Sequence, residues 1–283
     1  MSYYVYDDTK CELGEGPMWH PLRNQLFWFD IMGMRLHTRV DDETRTWQFD
    51  EYVSAAGWVD ENTLLMASET SLSTFDIETG ETSFVCALEA DNPVTRSNDG
   101  RADPQGGFWI GTMGKQAEDK AGSIYRYYRG SLRKLFGDIT ITNSICFSPD
   151  GKTAYFCDTA TDQIMRVALN DDGWPHGKPE VFIASANNPD GSVVDAAGNL
   201  WNAQWGSYRV CCYSPEGEVL RYVDVGGMQS SCPAFGGADG TTLFVTTAQQ
   251  NLPEADLEKS DDHGCVFAVD NVTKGQKEHR VIL

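Results

Sequence analysis

The amino-acid sequence predicts an all-β fold, a six-bladed β-propeller with four-stranded blades around a central channel. Three observations lead there: short apolar runs that each follow a polar turn, an even spacing between those runs, and the absence of sustained helical periodicity.

The runs come first. Gln25–Asp30, Thr63–Met66, Gly107–Ile110, Thr153–Cys157, Asn199–Trp201 and Thr242–Val245 are rich in aromatic and aliphatic residues. The turns before them read HPLRN, VDEN, ADPQGG, SPDGK, DAAGN and GADGT. Asn, Asp, Pro and Gly ahead of an apolar run mark a hairpin, because they tolerate the turn's backbone angles and hydrogen-bond the nearby main chain. The first apolar residues after the turns are Leu26, Leu64, Phe108, Ala154, Leu200 and Leu243, separated by 38, 44, 46, 46 and 43 residues. A helix-free period of about 40–50 residues is the mark of a propeller. Tyr3–Tyr6 is expected to pair with the last unit and close the ring, and Pro253–Asp261 to form a turn or two of helix in a surface insertion. No linker divides the chain, so residues 1–283 are expected to form a single propeller domain. A β-sandwich also has many short strands but does not account for the long, even period.

Composition narrows the function. The 283 residues carry 22 Lys and Arg against 42 Asp and Glu, a formal net charge of −20. Nucleic-acid and anionic-membrane partners, which need clustered cations, are excluded, and no apolar run is long enough to span a bilayer. The segment MSYYVYDDTKCE has acids where a secretory leader carries its apolar core, which predicts a cytoplasmic location. The eight cysteines are irregularly spaced without a C-x-x-C pair and read as reduced thiols; the five histidines form no zinc motif. Oligomeric state has no signature in the sequence.

Candidate site residues emerge from the phase of the repeat. Ten or eleven residues before each post-turn position stand Glu15, Asn98, Asn143 and Asp190 in four units, with Val53 or Ser54 and Cys232 or Pro233 in the others. In a closed ring one phase maps to one height on the axis, so these side chains should converge. Asn-Asp-Gly, Pro-Asp-Gly and Glu-Gly-Pro taken singly are ordinary turn formers; four polar residues at a shared phase are not explained by turns alone. Two carboxylates with amide oxygens make a hard donor set suited to one divalent ion, calcium, magnesium, manganese or zinc. Asp150, Asp195 and Asp239 fall at the hairpin phase and read as structural. Trp19, Trp58, Trp109, Trp201 and Trp205 read mainly as packing between blades. Cys232 has no partner histidine and reads as a channel-lining or buried thiol.

LGEGPMWH, RSNDGRADPQGGFWIGTM, ITNSICFSPDGKTAYFCDT and PDGSVVDAAGNLW resemble, in order and through nearly the whole chain, the gluconolactonase/regucalcin family of six-bladed propellers, and within it the bacterial aldonolactonases. The resemblance implies that Glu15, Asn143 and Asp190 hold a divalent metal, that Arg96 and Asn98 contact substrate hydroxyls, and that Asp190 also transfers a proton. Where members of the family carry a substrate-contacting Glu after G-T-M, this chain has Gln116, with Glu118 two residues on. The activity implied is metal-dependent hydrolysis of a small-molecule sugar lactone to the open-chain aldonic acid. The alternatives are a metal-dependent phosphotriesterase or aryl-esterase, which needs a more apolar channel mouth, and a non-catalytic calcium-binding propeller.

Overall fold

The computed structural model describes residues 2–283, so Met1, where the expected domain begins, lies outside the described residues. Six four-stranded antiparallel sheets succeed one another around a ring. Their innermost strands are Gly14–His20, Val53–Trp58, Thr95–Ala102, Thr142–Phe147, Pro189–Val194 and Gln229–Gly236, which define blades 1 to 6. The six post-turn residues all fall at the start of the second strand of a blade and are buried to within 1%.

The turns between first and second strands are built as their residues suggest. Asp195 Oδ1 accepts the backbone N–H groups of Ala197 and Asn199, both at 2.9 Å, and its Oδ2 accepts Trp201 Nε1 at 3.0 Å. Asp103 does the same for Gln105, Gly107 and Trp109. Gly106 and Gly198 close these two turns at φ 92° and 91°, where a side chain would be strained. Asp150 and Asp239 cap the corresponding turns of blades 4 and 6.

Successive strand residues point to opposite faces, and both faces of a blade are covered by its neighbours, which is why the runs are apolar at every position. Leu200 packs with Cys157 and Ile164 of blade 4, while Trp201 packs with Phe235 and Leu243 of blade 6. Phe27 and Trp28 divide in the same way between blades 2 and 6. Six such clusters, one per pair of adjacent blades, form the core.

The ring is closed by Tyr4–Asp7, which pairs antiparallel with Val266–Val269 as the outermost strand of blade 6, as the sequence predicts. The insertion before Val266 carries one short helix, Glu254–Leu257. The chain then crosses the base of the channel. Gln276 Nε2 donates to the carbonyls of Phe147 and Val194, Glu278 pairs with Arg101, and Val281 is buried among Val59, Phe108 and Tyr127. This segment ties blades 2 to 5 together and leaves the opposite end, where the innermost strands begin, as the channel mouth. Among the described residues no helix is long and apolar enough to cross a membrane, and all eight cysteines are free.

Candidate active site

Each innermost strand loses register with its neighbour at one place. The breaks fall at Glu15/Met18, Val53/Ala55, Ser97/Gly100, Asn143/Cys146, Pro189/Ser192 and Ser230/Cys232. A β-bulge takes residues out of the pairing and re-aims their side chains. Six bulges at one height turn six short segments toward the axis. Glu15 and Asn143 immediately precede their bulges, whereas Asn98 and Asp190 are the first residues within theirs; this is the physical origin of the ten-or-eleven-residue offset in the sequence. In blade 6 the bulged residue is Ser231, one position before the expected Cys232 and Pro233. Cys232 is buried in the channel against Gly191.

Glu15, Arg96, Asn98, Gln116, Asn143 and Asp190 all line one cavity of about 470 Å³ at the channel mouth. Glu118 lies apart from it: its carboxylate folds back to accept the Gln116 backbone N–H at 3.1 Å. Of the five tryptophans named above, Trp205 lines the cavity, Trp109 and Trp201 are core, Trp19 stacks on Phe244, and Trp58 Nε1 holds the Glu278 carbonyl.

A one-way chain of hydrogen bonds crosses three blades. Arg96 donates to Asn98 Oδ1 at 2.8 Å, Asn98 Nδ2 to Asn143 Oδ1 at 3.0 Å, Asn143 Nδ2 to Thr159 Oγ1 at 2.9 Å, and Thr159 Oγ1 to the Pro189 carbonyl at 2.7 Å. The chain fixes the Asn143 amide with its oxygen on the Asn98 side and leaves that oxygen a second lone pair.

The electrostatics are unusual for a structural network. Burial and the charge of Asp99 push Glu15 up to about 8, against the opposing Gly16 N–H and Arg96. Burial, then Glu15 and Asp99, raise Asp190 well above the usual carboxylate range. Asp99 itself is raised to about 6, chiefly by burial, although it accepts the Ile145 N–H. Burial lowers Arg96 to about 10. Carboxylates that disfavour one another's charge in a buried site are stabilised by a cation between them. The donor set of Glu15, Asn143 and Asp190 is all oxygen, faces one cavity and suits a hard divalent ion with water completing its shell. Among the described residues no three His, Cys, Asp or Glu side chains cluster as a metal cage.

A second ring went unrecognised in the sequence, where only Trp205 was singled out and read as blade packing. Met32, Lys115, Thr159, Trp205 and Gln250 line the cavity from the ends of second strands, and Glu69, at the equivalent place in blade 2, pairs with Lys115. They lie five to seven residues after the post-turn positions, so the repeat that located Glu15 and Asp190 also locates them. Mixed chemistry, from methionine to lysine, hid the ring from a search for metal-capable side chains.

A closed six-bladed ring with an oxygen-rich, charge-strained cavity at its mouth defines the class. The chain belongs to the SMP-30/Gluconolactonase/LRE-like family, which it matches over residues 13–249. It is 36% identical to an L-arabinolactonase of Azospirillum brasilense, with 92% of this chain and 89% of that protein covered. It is 33% identical to a 6-deoxy-6-sulfogluconolactonase of Pseudomonas putida, with 90% of each covered. Among solved structures it superposes on a calcium-binding protein, regucalcin, of Agrobacterium tumefaciens with a TM-score of 0.96 at 41% identity, over 99% of this chain and 97% of that one.

Proposed function

We propose that this chain is a hydrolase of carboxylic ester bonds that opens a sugar lactone to its aldonic acid with the help of one divalent metal ion. The observation that carries the reading is the convergence of Glu15, Asn143 and Asp190 with Arg96 and Asn98 on a single cavity. The names of the two lactonase relatives support the substrate class.

Glu15, Asn143 and Asp190 hold the ion. When bound, it supplies Lewis acidity toward the lactone carbonyl and compensates the buried carboxylates. Asp190 accepts the proton of the attacking water and returns it to the ring oxygen as the carbon–oxygen bond breaks. Arg96 and Asn98, already fixed by mutual hydrogen bonds, orient the sugar hydroxyls, with Gln116 and Lys115 on the same wall. Most of the cavity wall is polar or charged, which favours a hydroxylated lactone over an aryl ester or phosphotriester. The discriminating experiment profiles aldonolactones, an aryl acetate and a phosphotriester side by side on chelator-stripped protein with each divalent ion restored. Turnover confined to the aldonolactones supports the reading; turnover confined to the other esters, or ion binding without turnover, replaces it.

A further inference from the structure

The break in register at Pro189/Ser192 takes Asp190 and Gly191 out of the strand pairing, and their carbonyls need other donors inside the protein. Two buried side chains supply them. Ser144 Oγ, from blade 4, donates to the Asp190 carbonyl at 2.5 Å. Asn202, which lies opposite Ser192 in the second strand of blade 5, brings its amide nitrogen within 3.1 Å of the Asp190 carbonyl, 3.3 Å of the Gly191 carbonyl and 3.2 Å of Ser144 Oγ. Both residues have no solvent exposure. Ser144 follows Asn143 directly and sits at φ 60°, a left-handed conformation that a non-glycine residue holds at a cost. That conformation points its hydroxyl at the neighbouring blade.

We propose that Ser144 and Asn202 form a positioning clamp that sets the Asp190 carboxylate against the Asn143 amide. The inference rests on the cation-and-lactone reading above. Ser144 grips the peptide that carries Asp190 from the blade that carries Asn143, and Asn202 grips it from its own blade, so the spacing of two ion ligands on different blades becomes a fixed quantity. Thr159 secures the preceding Pro189 carbonyl from the same blade, which limits rotation of the segment at both ends. At the third ligand the arrangement is simpler: one hydroxyl, Ser231 Oγ, holds the Gly14 carbonyl beside Glu15. A buried amide that merely satisfied bulge carbonyls would contribute to stability alone. A clamp also sets ion affinity and turnover.

The test titrates Mn²⁺ and Ca²⁺ calorimetrically into chelator-stripped wild type, Asn202→Ala, Ser144→Gly and a control, Thr38→Val. Thr38 is a fully buried hydroxyl two strands out from the channel, donating to the Leu26 carbonyl, so its loss reports on stability without touching the site. Ser144→Gly deletes the hydroxyl while glycine accepts the backbone angle, so it decides the matter should Asn202→Ala not fold. The clamp predicts ion Kd values weaker by about 10–100-fold in both site variants, kcat lower to a similar degree, and KM held within about twofold. Ion affinity equal to wild type, with thermal stability lowered as in Thr38→Val, would overturn the clamp and leave the proposed function standing. Wild-type protein that takes up neither these two ions nor Mg²⁺ or Zn²⁺ would overturn both.

Discussion

At the base of the channel, Arg101 and Glu278 are buried together and pair directly; at the mouth, Glu15, Asp99 and Asp190 are buried within one another's fields with Arg96 as the opposing charge. The same innermost strand, Thr95–Ala102, serves both ends, carrying Arg96 and Asn98 upward and Arg101 downward. Burial works against the Arg101 charge, yet Glu278, Cys232 and Asp99 hold its pKa above the ordinary value. Burial works against Glu15 and Asp190 too, and there the nearby carboxylates add to it. The fold neutralises charge at the base and leaves charge in conflict at the mouth, where the proposed cation and substrate would bind. Removing charge at the two ends should therefore have opposite consequences.

The largest effect is expected at the mouth. Asp190→Asn should lower kcat by about 10²–10⁴-fold, the range for loss of a general base, while metal-free protein melts no lower than wild type. Turnover within a fewfold of wild type would remove Asp190 from the chemistry. At the base, Glu278→Ala leaves Arg101 buried without its partner and should cost about 3–5 kcal/mol by denaturant unfolding, with KM and ion affinity unchanged. A change in ion affinity without a loss of stability would reverse the roles assigned to the two ends.

Adding ion sharpens the contrast further. At 100 times its Kd, a site-specific ion should stabilise the wild type by about 2.7 kcal/mol, and Glu15→Gln should gain much less. The pH response follows from Glu15, raised from 4.5 to about 8 in the folded protein. Between those values the folded state holds a proton that the unfolded state has released. Metal-free protein should therefore lose stability as pH rises through that window, and bound ion should flatten the loss because it competes with the proton. The smallest effect distinguishes the two candidates after G-T-M. Gln116→Ala should raise KM by about fivefold, the worth of one hydrogen bond, and Glu118→Ala by less, since Glu118 is turned onto its own loop.

The repeat made the fold legible. Hairpin turns and apolar runs recur because every blade solves the same packing problem, and Leu26 and Leu243 occupy equivalent places despite blades of unequal length. The axial residues were legible because Glu15, Asn98, Asn143 and Asp190 keep phase with those turns. The bulges were not, since no residue type encodes a register break: Gly16, Ser54 and Ser144 all occupy one. Thr159 escaped for a related reason, and Trp205 read as blade packing, because position rather than chemistry brings both to the cavity. The strap across the base has no repeat partner, and only its contacts identify it.

Metal-dependent lactone opening at the channel mouth is decided by hydrolysis of an aldonolactone panel, followed by pH indicator, with chelator-stripped wild type, Glu15→Gln and Asp190→Asn, each with and without restored divalent ion. Ion-restored turnover of one or a few lactones is expected in the wild type, with near-spontaneous rates in both variants. Turnover that is independent of added ion, or equal in all three proteins, would contradict it.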